Sequence, residues 1–129
     1  MTNTTKPTIL RGEIWLVDFD PAVGDEQKKK RPALVMNPDT AGRLRLRVIV
    51  PVTTWQDHFV RYPWFVRLTP TPLNGLDKES AADGFQIRCL SEQRFRFRIG
   101  ILTDQQISEI AAAIAFSVGY ISSSNGERL

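Results

Sequence analysis

An arginine set directly before a proline, Arg31-Pro32, and two threonines set directly after an apolar run, Thr53-Thr54, are the side chains of this sequence best suited to handling a phosphate. Pro32 biases Arg31 toward an extended conformation, just ahead of the strand-like run Ala33-Leu34-Val35-Met36. A scaffold can therefore hold the guanidinium, a planar fork of five donors that stays charged, against an incoming anion. Thr53 and Thr54 follow Val48-Ile49-Val50-Pro51-Val52, so a hydroxyl there can donate to a phosphoryl oxygen from a fixed position. The plainer reading is that they tie down their own turn. Gln86 and Arg88 alternate and would share one sheet face if that segment is a strand. His58, next to Asp57, is the sole histidine, so a paired-histidine acid–base arrangement is excluded, and Cys89 has no nucleophile signature around it.

Charge and aromatic patterning extend this anion-binding theme. Lys28-Lys29-Lys30-Arg31 places four cations side by side, and arginines recur at every second position over 43–47 and again over 94–98. Taken singly, each set reads as solvated surface; together they would make a convergent basic face. Trp55, Phe59, Tyr62 and Trp64 lie close together among polar residues, so some of these rings are candidates for stacking on unpaired bases. Exposed rings would serve a homodimer interface equally well.

The elements that must position these groups are mostly strands. The pattern predicts strands over 14–19, 33–36 and 44–50, then 64–68, 84–89 and 98–102. Pro51 is expected to end the third strand, with Val52 to Trp55 opening a loop. The one strong helix signal comes last. Thr103 can cap it, Gln106 completes a capping box, and Ile107, Ile110, Ala111, Ile114 and Val118 share a face, with Gly119 as terminator. A mostly β domain follows, a small curved barrel with the late helix packed against it. Residues 11–121 form the domain, with tails over 1–10 and 122–129. Strands not separated by repeated helices argue against a doubly wound fold.

Composition narrows the function classes further. At 129 residues the chain suits one domain, and a 42% hydrophobic share supports a core. No apolar run is long enough to span a membrane, and nothing after Met1 to Lys6 reads as a secretory signal. One cysteine and one histidine exclude both a disulfide framework and a zinc site built from those ligands, and suit a reducing, cytoplasmic setting. No cofactor motif is present; the segment 24–32 lacks the spacing of a phosphate-binding P-loop. A net charge of +3 points weakly to a polyanionic partner.

Four segments taken in order carry a resemblance to a known family. These are Arg11 to Pro21, Gly24-Asp25-Glu26-Gln27 followed by Arg31-Pro32-Ala33-Leu34-Val35, Val50-Pro51-Val52-Thr53, and Gln86-Ile87-Arg88. In order and spacing they resemble the MazF/PemK-type toxins of bacterial type II toxin–antitoxin systems, over about residues 11–118. The resemblance implies an SH3-like β-barrel with short helical additions, usually a homodimer. It implies a metal-independent, cofactor-free endoribonuclease that cuts single-stranded RNA and is inhibited by a cognate antitoxin. By motif position Arg31 and Thr53 match the catalytic pair, and Glu26 and Gln27 the loop that shapes the active site. Lys28, Lys29, Lys30, Thr54, Trp55, His58, Gln86 and Arg88 are the further candidates for RNA contact. Some family members carry an arginine–aspartate acid–base pair just before the glutamine–arginine motif; Asp83 and Phe85 stand there instead. The alternative is a catalytically weak barrel that binds nucleic acid or protein.

Overall fold

The architecture turns on one long strand. In the computed structural model, which describes residues 8–19, 30–41 and 44–120, β3 (Leu46–Thr54) runs straight through Pro51. One edge of β3 pairs with β2 (Lys30–Val35) through Ala33↔Pro51, Leu34↔Val50 and Val35↔Ile49. Its other edge pairs first with β6 (Arg88–Ser91) over Leu46 to Ile49, then with β5 (Ser80–Asp83) over Val52 to Thr54. Pro51 therefore does not end the strand, and Val52 to Thr54 are not a loop. Val50 and Pro51 occupy the gap between β6 and β5 on that edge, where a residue without an N–H disrupts no pairing.

β1 (Glu13–Asp18) pairs with β2 and with β7 (Phe95–Ile101), and β4 (Phe65–Leu68) pairs with β5. All pairings are antiparallel, and the order is β4-β5-β3-β2-β1-β7 with β6 beside β3. This is a mostly β fold with one helix and short 3-10 turns. The expected closure into a barrel is not seen among the described strands: β4 and β7 end the path unpaired with each other, and the sheet is open. A turn reaches across instead. The Ile101 N–H donates to the Leu73 carbonyl at 3.1 Å, and a Cβ at Gly100 would lie 2.3 Å from the Asn74 carbonyl oxygen, so only glycine admits this approach. The unpaired edge of β7 is covered there by chain.

Both faces of the central strands are buried, which explains why Ala33 to Met36 reads as an unbroken apolar run rather than an alternation. Ile14, Leu34, Val50 and Val52 face one core, covered by Ile107 and Ile110 of α1 (Asp104–Ser117). Trp15, Val17, Ala33, Val35 and Ile49 face a second, closed by Leu90, Phe95 and Ile9. Burying a side chain of the size of Ile110 contributes about 1.5–3 kcal/mol, and it is fully buried. The capping box at Thr103 and Gln106 is formed. At the other end Gly119 (φ 84°) and Tyr120 return N–H bonds to Phe116 and Ala115, a Schellman stop. Val118 lies past the last turn and is 72% exposed rather than on the packed face; Ala113 is buried in its stead.

The expected strand over 84–89 divides in two. Asp83 caps a 3-10 turn over Gly84–Gln86, and β6 begins only at Arg88. β5, Ser80–Asp83, had no signal, because Ser-Ala-Ala-Asp carries neither β-branched nor aromatic residues. No described helix is long and apolar enough to cross a membrane.

Candidate functional site

β2 and β3 bring the two foremost candidates together. The β2–β3 register, carried two residues beyond Ala33↔Pro51, sets Arg31 against Thr53. Alternation puts Arg31 on the face of Ala33 and Val35, and Thr53 on that of Pro51 and Ile49. The pair thus stands where the second core runs out to solvent. Both line an open cavity of about 570 Å³ together with Pro51, Phe19, Phe59, Phe65, Asp83, Gln86 and Arg88. Both also line a neighbouring cavity of about 430 Å³, with Lys30, Thr54, Gln56, Asp77, Lys78 and Ser80 among its walls. Arg31 and Thr53 form the shared wall.

The first cavity is ordered by hydrogen bonds and stacked rings. Asp83, 7% exposed, accepts from the Phe85 N–H at 3.1 Å through Oδ1 and from Gln86 Nε2 at 2.9 Å through Oδ2. This capped turn, rather than strand alternation, brings Gln86 to the same cavity as Arg88. Arg88 lays its guanidinium over the Phe19 ring, 5.4 Å from the centroid. Phe59 stacks on Phe65 at 3.8 Å, 6° from parallel. Behind them, Trp55 and His58 meet Phe59 edge-on at 5.6 and 4.9 Å, and Arg67 sits 4.9 Å over Trp55. Two guanidiniums face one carboxylate, so the cavity favours an anion, and its aromatic floor favours a flat apolar group.

The candidates therefore divide. Arg31, Thr53, Gln86 and Arg88 line the first cavity; Lys30 and Thr54 join Arg31 and Thr53 in the second. Trp55 and His58 line neither and buttress Phe59. Glu26, Gln27, Lys28 and Lys29 lie outside the described residues. Phe19 and Lys78 had no sequence signal: the first reads as the end of an apolar run, the second as an isolated surface lysine.

Among the described residues, Arg47 and the arginines at 94, 96 and 98 line neither cavity. Arg94 donates to the carbonyls of Asp18 and Phe19 at 3.1 Å, Arg96 bonds Asp18 Oδ2 at 3.0 Å, and Arg98 meets Glu13 Oε2 at 3.4 Å. Arg47 is buried, donating to the Leu44 and Leu46 carbonyls and facing Glu92 at 3.5 Å. These arginines hold β1, β3 and β7 in place, and the cations at the cavities come from β2, β6 and the chain around Lys78. Among the described residues, no group of three or more His, Cys, Asp or Glu side chains is placed to hold a metal ion.

Fold and site define a small β protein with an arginine–threonine wall between two anion-favouring cavities. The chain belongs to the family of PemK-like, MazF-like toxins of type II toxin–antitoxin systems, which it matches over residues 10–118. It is 36% identical over 108 residues to endoribonuclease MazF9 of Mycobacterium tuberculosis, covering 81% of this chain and 91% of that protein. It is 31% identical over 109 residues to endoribonuclease MazF of Staphylococcus saprophyticus, covering 84% and 90%. In structure it resembles a mycobacterial endoribonuclease solved in complex with its cognate antitoxin, with a TM-score of 0.70, 21% identity, and 88% and 98% of the two chains covered.

Proposed function

We propose that this protein is a toxin-type endoribonuclease that cuts single-stranded RNA at selected sequences, without a metal, and is silenced by a cognate antitoxin. The observation that carries this reading is the convergence of Arg31 and Thr53 on one open, cationic cavity. With a phosphodiester at their shared wall, the ribose 2′-oxygen attacks the adjacent phosphorus in line. The P–O5′ bond breaks, leaving a 2′,3′-cyclic phosphate on one fragment; the 2′-hydroxyl proton is lost, and the departing O5′ gains a proton to become a 5′-hydroxyl.

Arg31 stabilises the charge that grows on the non-bridging oxygens, and Thr53 donates to the same phosphate. Preorganised donors of this kind supply roughly 3–4 kcal/mol each in comparable chemistry. Arg31 is a permanent cation and acts electrostatically. The two endoribonuclease relatives support the activity, and the mycobacterial toxin–antitoxin complex supports the partner. The reading carries with it a cytoplasmic homodimer. The apolar side chains left exposed near the end of α1, Phe116, Val118 and Tyr120, are suited to a subunit contact.

The test is incubation of long unstructured RNA with the purified protein in EDTA, followed by end-group analysis. Discrete cuts bearing cyclic phosphate and 5′-hydroxyl ends are expected from wild type, with both R31A and T53A deficient. Salt-sensitive RNA binding without cleavage would leave only the binding-barrel alternative.

A further inference from the structure

Arg31 and Thr53 line two cavities of different chemistry, so a polynucleotide reaching that wall has room on both sides of it. On one side the floor is aromatic: Phe59 and Phe65 are stacked and partly exposed, and Gln86 stands beside them with its amide held by Asp83. On the other side the lining is polar, with Lys30 and Lys78 exposed. A base needs a π-face and a hydrogen-bonding edge, and the next backbone linkage needs a cation.

We propose that the two cavities are subsites for the two flanks of the scissile linkage. The Phe59–Phe65 cavity holds one unpaired base, stacked on the rings and read at its edge by Gln86. The Lys30–Lys78 cavity holds the adjoining phosphodiester on the opposite side. This assignment rests on the RNA-cleavage reading above. It makes Phe59 and Gln86 specificity determinants and Lys78 a substrate-positioning residue, none of them acting on the reacting atoms. The aromatic residues around Phe59 then have a structural reason. Trp55 and His58 abut its ring edge-on, and Tyr62 packs 6.2 Å from Phe65, so the platform is rigid before substrate arrives.

The experiment alters substrate and protein together. A short single-stranded RNA spanning a mapped cut site is prepared in three forms: unmodified, abasic at each residue flanking the cut in turn, and methylphosphonate at each linkage flanking the cut in turn. With wild type, one abasic position is expected to lower kcat/KM by about 5- to 150-fold, the range of base–aromatic stacking. One neutral linkage on the other side of the cut is expected to lower it several-fold through KM. F59L is expected to lose the abasic penalty and keep the linkage penalty; K78Q is expected to do the reverse. V60A, on the same 3-10 turn with its side chain 77% exposed, is expected to behave as wild type.

The wild-type arm with modified RNA needs no variant to fold. Equal cleavage of abasic and unmodified RNA, or both penalties falling on the same side of the cut, overturns the proposal while leaving the nuclease reading intact. Binding is measured in parallel with the same RNAs carrying a 2′-deoxy scissile nucleotide, or with oligouridine if wild type cuts nothing. Absence of cleavage together with F59L-sensitive stacking and K78Q-reduced salt dependence would retain the subsites and refute the nuclease.

Discussion

Gln86 Nε2 donates to Asp83 Oδ2 at 2.9 Å, and the same buried carboxylate accepts the Phe85 N–H. One side chain thus shapes the turn and aims an amide at the cavity. D83A leaves that N–H without its acceptor and releases Gln86, with an expected stability loss of about 1–3 kcal/mol. D83N, which keeps an acceptor for Phe85, should recover most of it. Thermal melts of the two variants beside wild type make the comparison, and RNA kinetics on the folded D83A should show KM raised more than kcat is lowered.

At the shared wall, charge and shape are separable. R31A and T53A are each expected to lower kcat by about 10²–10³-fold, with the double variant well short of the product because both act on one phosphate. R31K keeps the charge but loses the planar fork. It should bind an uncleavable RNA with nearly the wild-type salt slope and still cleave at least about tenfold more slowly. Single-turnover kinetics alongside salt titrations would separate the two effects.

Gly100 reports on how the open sheet is fastened. A Cβ there would press on backbone atoms of Leu73 and Asn74 at 2.3–2.6 Å, none of which can swing aside as a side-chain tip could. G100A is expected to cost about 1–3 kcal/mol as overpacking. Hydrogen exchange at Ile101, whose N–H bonds Leu73, should accelerate beyond what the global loss accounts for.

Glu13 illustrates a buried charge with a full set of partners. Its Oε1 accepts from the Leu10 N–H and from Trp15 Nε1, both at 2.9 Å, and its Oε2 faces Arg98. E13A orphans the buried Trp15 indole N–H, at about 1–3 kcal/mol. Denaturant melts should show the loss, and activity per folded molecule should remain at the wild-type level, because Glu13 lines neither cavity.

The helix was legible to the residue at its start, since Thr103 and Gln106 signal a cap through local chemistry alone. Arg31 and Thr53 were legible as candidates through their positions before Pro32 and after the apolar run that ends at Val52. Their meeting followed from the family resemblance and not from local patterning, because Pro51 reads as a stop until β6 and β5 are seen to leave a gap opposite it. β5 was missed for want of any propensity in Ser-Ala-Ala-Asp; tertiary pairing on both edges makes it a strand. The arginine repeat over 94–98 looked like surface charge because its acidic partners, Glu13 and Asp18, lie far away in sequence on β1. Phe19 and Lys78 depend wholly on the fold for their place.

β3 contributes Thr53 to the wall and also joins the two halves of the sheet. Its residues 50–53 cannot drift without loosening both the ladder and the chemistry. The turn over Asp57–Arg61 and the chain around Lys78 bear no such double duty. On the proposed reading, substitution at those two places changes which RNA is taken and leaves the Arg31–Thr53 wall as it is.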